Sequence, residues 1–155
     1  MGGLEHEVDV LRRIPLFGNV DPARLKLLAF TSERVSFGAG QELFHEGDTG
    51  DAAYVIIEGS VDILKDTSEG EALVVTLKKN AFVGDIAILC DVPRTATVRA
   101  VDRIETLKIM KEQFLRLLIE FPEMAVEVTR VLAQRLNTTT MELTECREEV
   151  KKLSN

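Results

Sequence analysis

The hydrophobic pattern changes character twice along the chain. Near the start, Leu4, Val8, Leu11 and Ile14 recur at helix spacing. A second helical segment, "DPARLKLLAF", opens with Asp21 placed as an N-cap and Pro22 at the first helical position, where the missing N–H of proline leaves nothing unpaired. From about Arg34 to Met110 the helical period gives way to short β-type segments. "RVSF", "QELFH", "AAYVIIEG", "SVDILKD", "ALVVTLK", "TATVRAV" and "IETLKIM" are rich in Val, Ile, Leu and Thr, and the breaks carry Gly38, Gly40, Gly47, Gly50, Gly59 and Gly70. Many short strands at near-even spacing predict a β sandwich, jelly roll or small barrel. A parallel α/β fold would need crossover helices between strands, and none fits.

The helical period returns at "KEQFLRLLIEFPEM", breaks at Pro122 and resumes. From there Thr129, Leu132, Leu136, Thr139, Leu143, Cys146, Val150 and Leu153 alternate in steps of three and four, which is a heptad seam set among charged residues. A stripe this regular, running to the last residues, predicts pairing with a second copy as a coiled-coil dimer. Cys146 on the seam is expected to serve as a small packing residue. The expected organisation is mainly β with flanking helices: a β roll with N-terminal and hinge helices over 1–122, then a C-terminal helix over 123–155 acting as lid and dimerisation interface.

Composition narrows the function. At 155 residues, 45% of them apolar, the chain has enough material for one domain and an appendage. A net charge of -7 argues against a general nucleic-acid surface, so any anion must be held by a local pocket. No apolar run approaches the roughly 20 residues of a membrane span, and "MGGLEHEVDV" lacks the basic and apolar regions of a secretory signal; a cytoplasmic protein is expected. Cys90, Cys146, His6 and His45 form neither a disulfide framework nor a metal-ligand spacing. No P-loop, Ser/His/Asp arrangement or carboxylate pair stands out, so neither an enzyme nor a metal or cofactor is expected.

One stretch carries chemistry. In "GDIAILCDVPRTATVRA", residues 84 to 100, a single arginine, Arg94, follows a proline in surroundings otherwise suited to a sheet interior. Gly84 and Asp85 precede "IAIL", long enough for one helical turn, whose first N–H groups have no intrahelical partner. After a glycine that permits close approach, such a turn presents donors to an anion. The loop "CDVP" has a length that can bring Arg94 back over the same place, with a planar fork suited to two phosphate oxygens. A phosphate repels Asp85, which therefore makes sense as an acceptor for a hydroxyl on the same ligand, such as a ribose 2'-OH. On spacing alone, a structural ion pair between Asp85 and Arg94, with Pro93 ending a turn, accounts for the two residues equally well.

"VGDIAILCDVPRTATVRA" resembles the phosphate-binding cassette of cyclic nucleotide-binding domains, and "GQELFHEGDTGDAAYVIIEGSVDIL" resembles the strand-turn-strand pattern earlier in that domain. The likeness runs from about Leu11 to Leu143. It implies a β roll or jelly roll that holds cAMP or cGMP, with the helices at both ends rearranging when the cassette closes. By this resemblance Arg94 takes the exocyclic phosphate oxygens, assisted by the backbone N–H groups of Ile86 and Ala87. Val83, Gly84, Thr95 and Ala96 complete the cassette, and Thr95 can donate to the phosphate. Asp85 stands where the family usually has glutamate, so a backbone shift or a water must make up the missing methylene.

"AQRLNTTTMEL" resembles the dimer helix of the bacterial catabolite activator family, in which two hydroxyl residues, one from each subunit, hydrogen-bond adenine. This match implies Thr139 as the own-chain contact, Thr140 as the partner-chain contact and Arg135 as a partner for Asp85. A solvated helix face is the plain alternative for such a threonine run. The resemblance favours cAMP over cGMP. With no helix-turn-helix before Asn155, operator binding is not expected. The expected function is a cyclic nucleotide sensor that signals through its C-terminal helix to a dimer interface or to an unidentified protein partner. The alternative is a coiled-coil adaptor whose β roll holds no ligand, which the substitution at Asp85 favours.

Overall fold

The structure, a computed structural model, describes residues 3–154. The side chain of Leu4 lies outside what is described, as do residues 1, 2 and 155 of the expected organisation. At the N-terminal end, α1 (Gly3–Arg12) leads through a 3-10 turn (Pro15–Phe17) to α2 (Pro22–Thr31). Leu11 and Ile14 are fully buried, and Asp21 caps α2 by accepting the Ala23 N–H at 2.9 Å.

Eight strands follow, interrupted by one short helix. They are β1 (Glu33–Phe37), β2 (Glu42–Phe44), β3 (Ala52–Glu58), β4 (Val61–Thr67), β5 (Gly70–Leu77) and β6 (Phe82–Val83), then α3 (Asp85–Cys90), then β7 (Thr97–Ala100) and β8 (Ile104–Met110). Each of the seven expected segments contains a strand. The eighth, β6, spans two residues and is too short to leave a period in the sequence. "TATVRAV" contracts to Thr97–Ala100, so Arg94 lies in the α3–β7 loop and not within a strand.

The strands form two antiparallel four-stranded sheets, ordered β1-β8-β3-β6 and β2-β7-β4-β5, the jelly-roll arrangement expected from the sequence. Strand β3 explains how the two cores meet. Ala53, Val55 and Ile57 face the helices, packing with Leu11, Phe17, Leu28 and Phe114; Tyr54 and Ile56 face the other sheet, in a cluster with its Val61 and Val98. Burial on both faces makes this strand continuously apolar where a half-exposed strand would alternate.

The chain closes with α4 (Lys111–Glu120) and α5 (Pro122–Ser154). Pro122 starts α5 at a position where no N–H is needed. Met124 and Val128 anchor its first turns in the helical core, and from Ala133 every described residue of α5 is exposed. Leu136 is 68% exposed and Leu153 87%, so the apolar seam lies bare in the single chain.

Candidate ligand site

The segment from Val83 to Ala87, the segment from Arg94 to Ala96, and Arg135 of α5 all line one cavity of about 460 Å3. That volume suits a small organic ligand. Backbone conformation builds the phosphate-facing end. Gly84 has φ +89, and a Cβ there would stand 2.6 Å from Arg94 Nη1 and 3.3 Å from the Ala52 carbonyl oxygen. Gly50 serves differently from a turn glycine: it is not at positive φ, but a Cβ on it would meet the Ala87 Cβ at 2.5 Å and the Arg94 guanidinium carbon at 3.2 Å. The two glycines leave the room that Arg94 fills.

Arg94 is 4% exposed. Its Nη1 donates to the Gly84 carbonyl at 3.1 Å and its Nη2 to the Ala52 carbonyl at 2.6 Å, while its guanidinium carbon lies 3.9 Å from the centre of the Phe44 ring. Reciprocal backbone bonds with Asp48 and Gly47 fix the loop that carries it. Nε is buried without a partner. Among the described residues no carboxylate lies within ion-pair distance of Arg94, so a charged group sits in the wall of a cavity held only by carbonyls and an aromatic face. Burial lowers its pKa, partly countered by Tyr54, Asp51 and Asp48.

The structural ion pair between Asp85 and Arg94 is absent. Asp85, also 4% exposed, instead accepts from Arg135 Nη1 through Oδ2 at 3.0 Å. The Asp85 carboxylate thus engages α5, while Arg94 engages the backbone carbonyl of the neighbouring Gly84. Thr95 is exposed at the rim, its carbonyl accepting from Lys65 Nζ at 2.7 Å. Thr139 and Thr140 do not line the cavity. Both are exposed on α5 beyond Arg135; Thr139 Oγ1 donates back to the Arg135 carbonyl at 2.9 Å, and the Thr140 carbonyl accepts from Thr144.

Sequence reasoning missed several wall residues. Phe44 beneath Arg94, Ile63 and Leu77 from the second sheet, Val131 of α5 and Asn80 before β6 also line the cavity. The four apolar residues fit any strand or helix core, so nothing in their spacing marks them. Asn80 left a signal only in the backbone, at φ +75.

Residues 34–121, more than half the chain, match the family described as the cyclic nucleotide-binding domain. The chain belongs to that family. Over 132 residues it is 28% identical to a CRP-like cAMP-activated global transcriptional regulator of Mycobacterium tuberculosis, a match covering 84% of this chain and 59% of the regulator. Among solved structures it resembles the N-terminal domain of a transcriptional regulator from Streptomyces coelicolor A3(2), with a TM-score of 0.72, 34% identity and coverage of 84% of this chain and 94% of that one. It also resembles the catabolite activator protein of Thermus thermophilus, with a TM-score of 0.76, 28% identity and coverage of 83% and 61%. The chain thus spans about three fifths of the mycobacterial and Thermus proteins. No helix among the described residues is long and apolar enough to cross a membrane.

Proposed function

We propose that this domain is a cytoplasmic cyclic nucleotide sensor, preferring cAMP to cGMP, whose ligand acts on α5 and through it on a dimer interface. The observation that carries the reading is Arg94: a buried guanidinium with no carboxylate partner in the wall of a nucleotide-sized cavity. A buried unpaired charge is costly unless a counter-ion completes it, and a cyclic phosphate supplies one. Arg94 has five N–H donors and spends two on carbonyls. Its remaining donors, with the first-turn N–H groups of Ile86 and Ala87, suit the exocyclic phosphate oxygens.

Asp85 serves the sugar. Oδ2 is engaged by Arg135, leaving Oδ1 for a ribose hydroxyl. Because Arg135 belongs to α5, a ligand that moves α3 changes the energy of α5's present position. The ligand shifts this equilibrium only by its differential affinity for the two arrangements. The bare seam from Leu136 to Leu153 supports a dimer along α5. In such a dimer Thr139 and Thr140 become available for adenine as the family resemblance implies, and the mycobacterial relative described as cAMP-activated supports the same base.

The adaptor reading drew its support from Asp85 in place of glutamate. The shorter carboxylate nevertheless lines the cavity and reaches Arg135, which weighs against a degenerate site. Titration calorimetry of nucleotide-stripped protein with cAMP and then cGMP decides between the two. Saturable binding that falls at least tenfold in Arg94→Ala is expected, since a charge-assisted contact contributes about 1.5 to 3 kcal/mol. No binding of either nucleotide up to millimolar concentration overturns the sensor and leaves the adaptor.

A further inference from the structure

Among the described residues, two buried side-chain polar atoms have no hydrogen-bond partner: Arg94 Nε and Asn80 Oδ1. Buried unpaired polar groups are few in folded proteins, and each carries a desolvation penalty that something must offset. Both residues line the same cavity. We propose that Asn80 reads the amino edge of a purine at the end of the cavity remote from Arg94. This inference rests on the nucleotide-sensor reading and adds a specificity contact to it.

Strand β3 supplies the ruler. Arg94 Nη2 donates to the Ala52 carbonyl, and the Asn80 N–H donates to the Ile56 carbonyl at 2.8 Å. Ala52 and Ile56 are four positions apart, roughly 13 Å along a strand that rises about 3.3 Å per residue. That is the scale of a purine nucleotide from its phosphate to the far edge of its base. A ligand anchored by phosphate on Arg94 and lying along β3 is long enough to bring its base to Asn80. Ile63, Leu77 and Phe82, which line the same cavity, add apolar wall with no side-chain hydrogen-bonding groups.

The backbone at Asn80 does not require this side chain. The residue sits in a tight turn, with the Ala81 N–H donating to the Lys78 carbonyl at 3.1 Å and φ at +75. Glycine adopts that conformation with less strain. What asparagine adds is a carboxamide whose oxygen is buried and unsatisfied. Its χ2 well is broad, and turning the oxygen into the cavity breaks no hydrogen bond made by that oxygen. An amide oxygen accepts from the exocyclic amino group of adenine. Guanine presents a carbonyl oxygen at the corresponding position, which Oδ1 repels, so guanine can be met only if the carboxamide flips and its NH2 takes the oxygen's place.

The test compares wild type, Asn80→Gly and Arg94→Ala by calorimetric titration with cAMP, cGMP and the cyclic phosphate of unsubstituted purine riboside, which lacks the amino group. In Asn80→Gly the Kd for cAMP is expected to rise about tenfold while cGMP affinity holds, so that discrimination collapses. Wild type should lose a similar factor on the purine analogue, to which Asn80→Gly should be indifferent. An unliganded melting temperature in Asn80→Gly at or above that of wild type verifies an intact fold. If wild type binds cAMP and Asn80→Gly keeps the same cAMP-to-cGMP ratio, whether by retaining both affinities or losing both equally, the base contact is wrong while the sensor stands. If wild type binds none of the three nucleotides, the sensor reading itself fails and takes this contact with it.

Discussion

Arg135 and Asp85 meet at 3.0 Å across fifty positions of sequence, tying the long C-terminal helix to the short helix at the mouth of the cavity. The pair is asymmetric. The Asp85 side chain is 6% exposed and that of Arg135 47%, so losing the arginine strands a buried carboxylate, whereas losing the aspartate only releases an arginine into water.

That asymmetry makes the first prediction. Arg135→Ala should destabilise the unliganded protein by about 1 kcal/mol, because half-exposure of the guanidinium screens much of the interaction. A double-mutant cycle with Asp85→Asn, read by denaturant unfolding, should give a coupling of about 0.5 to 1 kcal/mol. Strictly additive effects would show that the contact does not join α5 to α3 energetically.

A second prediction separates two glycines of similar φ. Gly40, at φ +84, has nothing within 4 Å of an added Cβ, whereas Gly84, at φ +89, would drive a methyl against Arg94 and Phe44. Gly40→Ala should cost only the strain of an L side chain at positive φ, about 1 kcal/mol. Gly84→Ala should lose more and should weaken nucleotide binding, since Arg94 must move. Equal melting temperatures and equal affinities in the two variants would refute the close-approach account.

The third concerns the bare helix. Leu143 is 52% exposed at the centre of the seam. Leu143→Asp should convert a dimer to a monomer in light scattering, because a charge at a heptad core position must be desolvated when the helices pair. A wild-type protein that is monomeric at high micromolar concentration would refute the dimer.

His45 provides a pH signature away from the cavity. Its Nδ1 lies 2.9 Å from Glu42 Oε1, and that hydrogen bond raises the imidazole pKa above its ordinary 6.5. A raised folded-state pKa contributes stability that is fully present below about 6.5 and lost as pH rises through the raised value. Wild type should therefore lose some melting temperature between pH 6 and pH 8, and His45→Gln should flatten that slope. An unchanged slope in the variant assigns the pH dependence elsewhere. Glu42 is itself held below the usual carboxylate range, first by Arg99 and then by His45, so its contribution is lost only in acid.

Some of this architecture lies in local spacing. Asp21 and Pro22 mark a helix start because a capping carboxylate and a missing N–H act within one turn, and the strand segments declare themselves by β-branched content between turn glycines. The seam from Thr129 to Leu153 is visible because its surface is one-dimensional. Local order also placed Asp85 and Arg94 at a common mouth, since one helical turn and a short loop separate them.

Tertiary structure decided what those residues touch. Spacing left an ion pair between Asp85 and Arg94 open; the fold instead sends Asp85 to Arg135 and leaves Arg94 on two carbonyls and the Phe44 ring. Gly50 reads as a turn residue in sequence, yet its lack of a Cβ matters through contact with Ala87 and Arg94 far along the chain. Asn80 and the apolar wall carry no local mark, since facing a cavity or a core demands the same residue types. Local residue order sets which segments form and which chemistry they carry; the packing of β3 against β6 and β8, and of α5 against the domain, selects which charges stay unpaired, because desolvation is a property of the assembled surroundings.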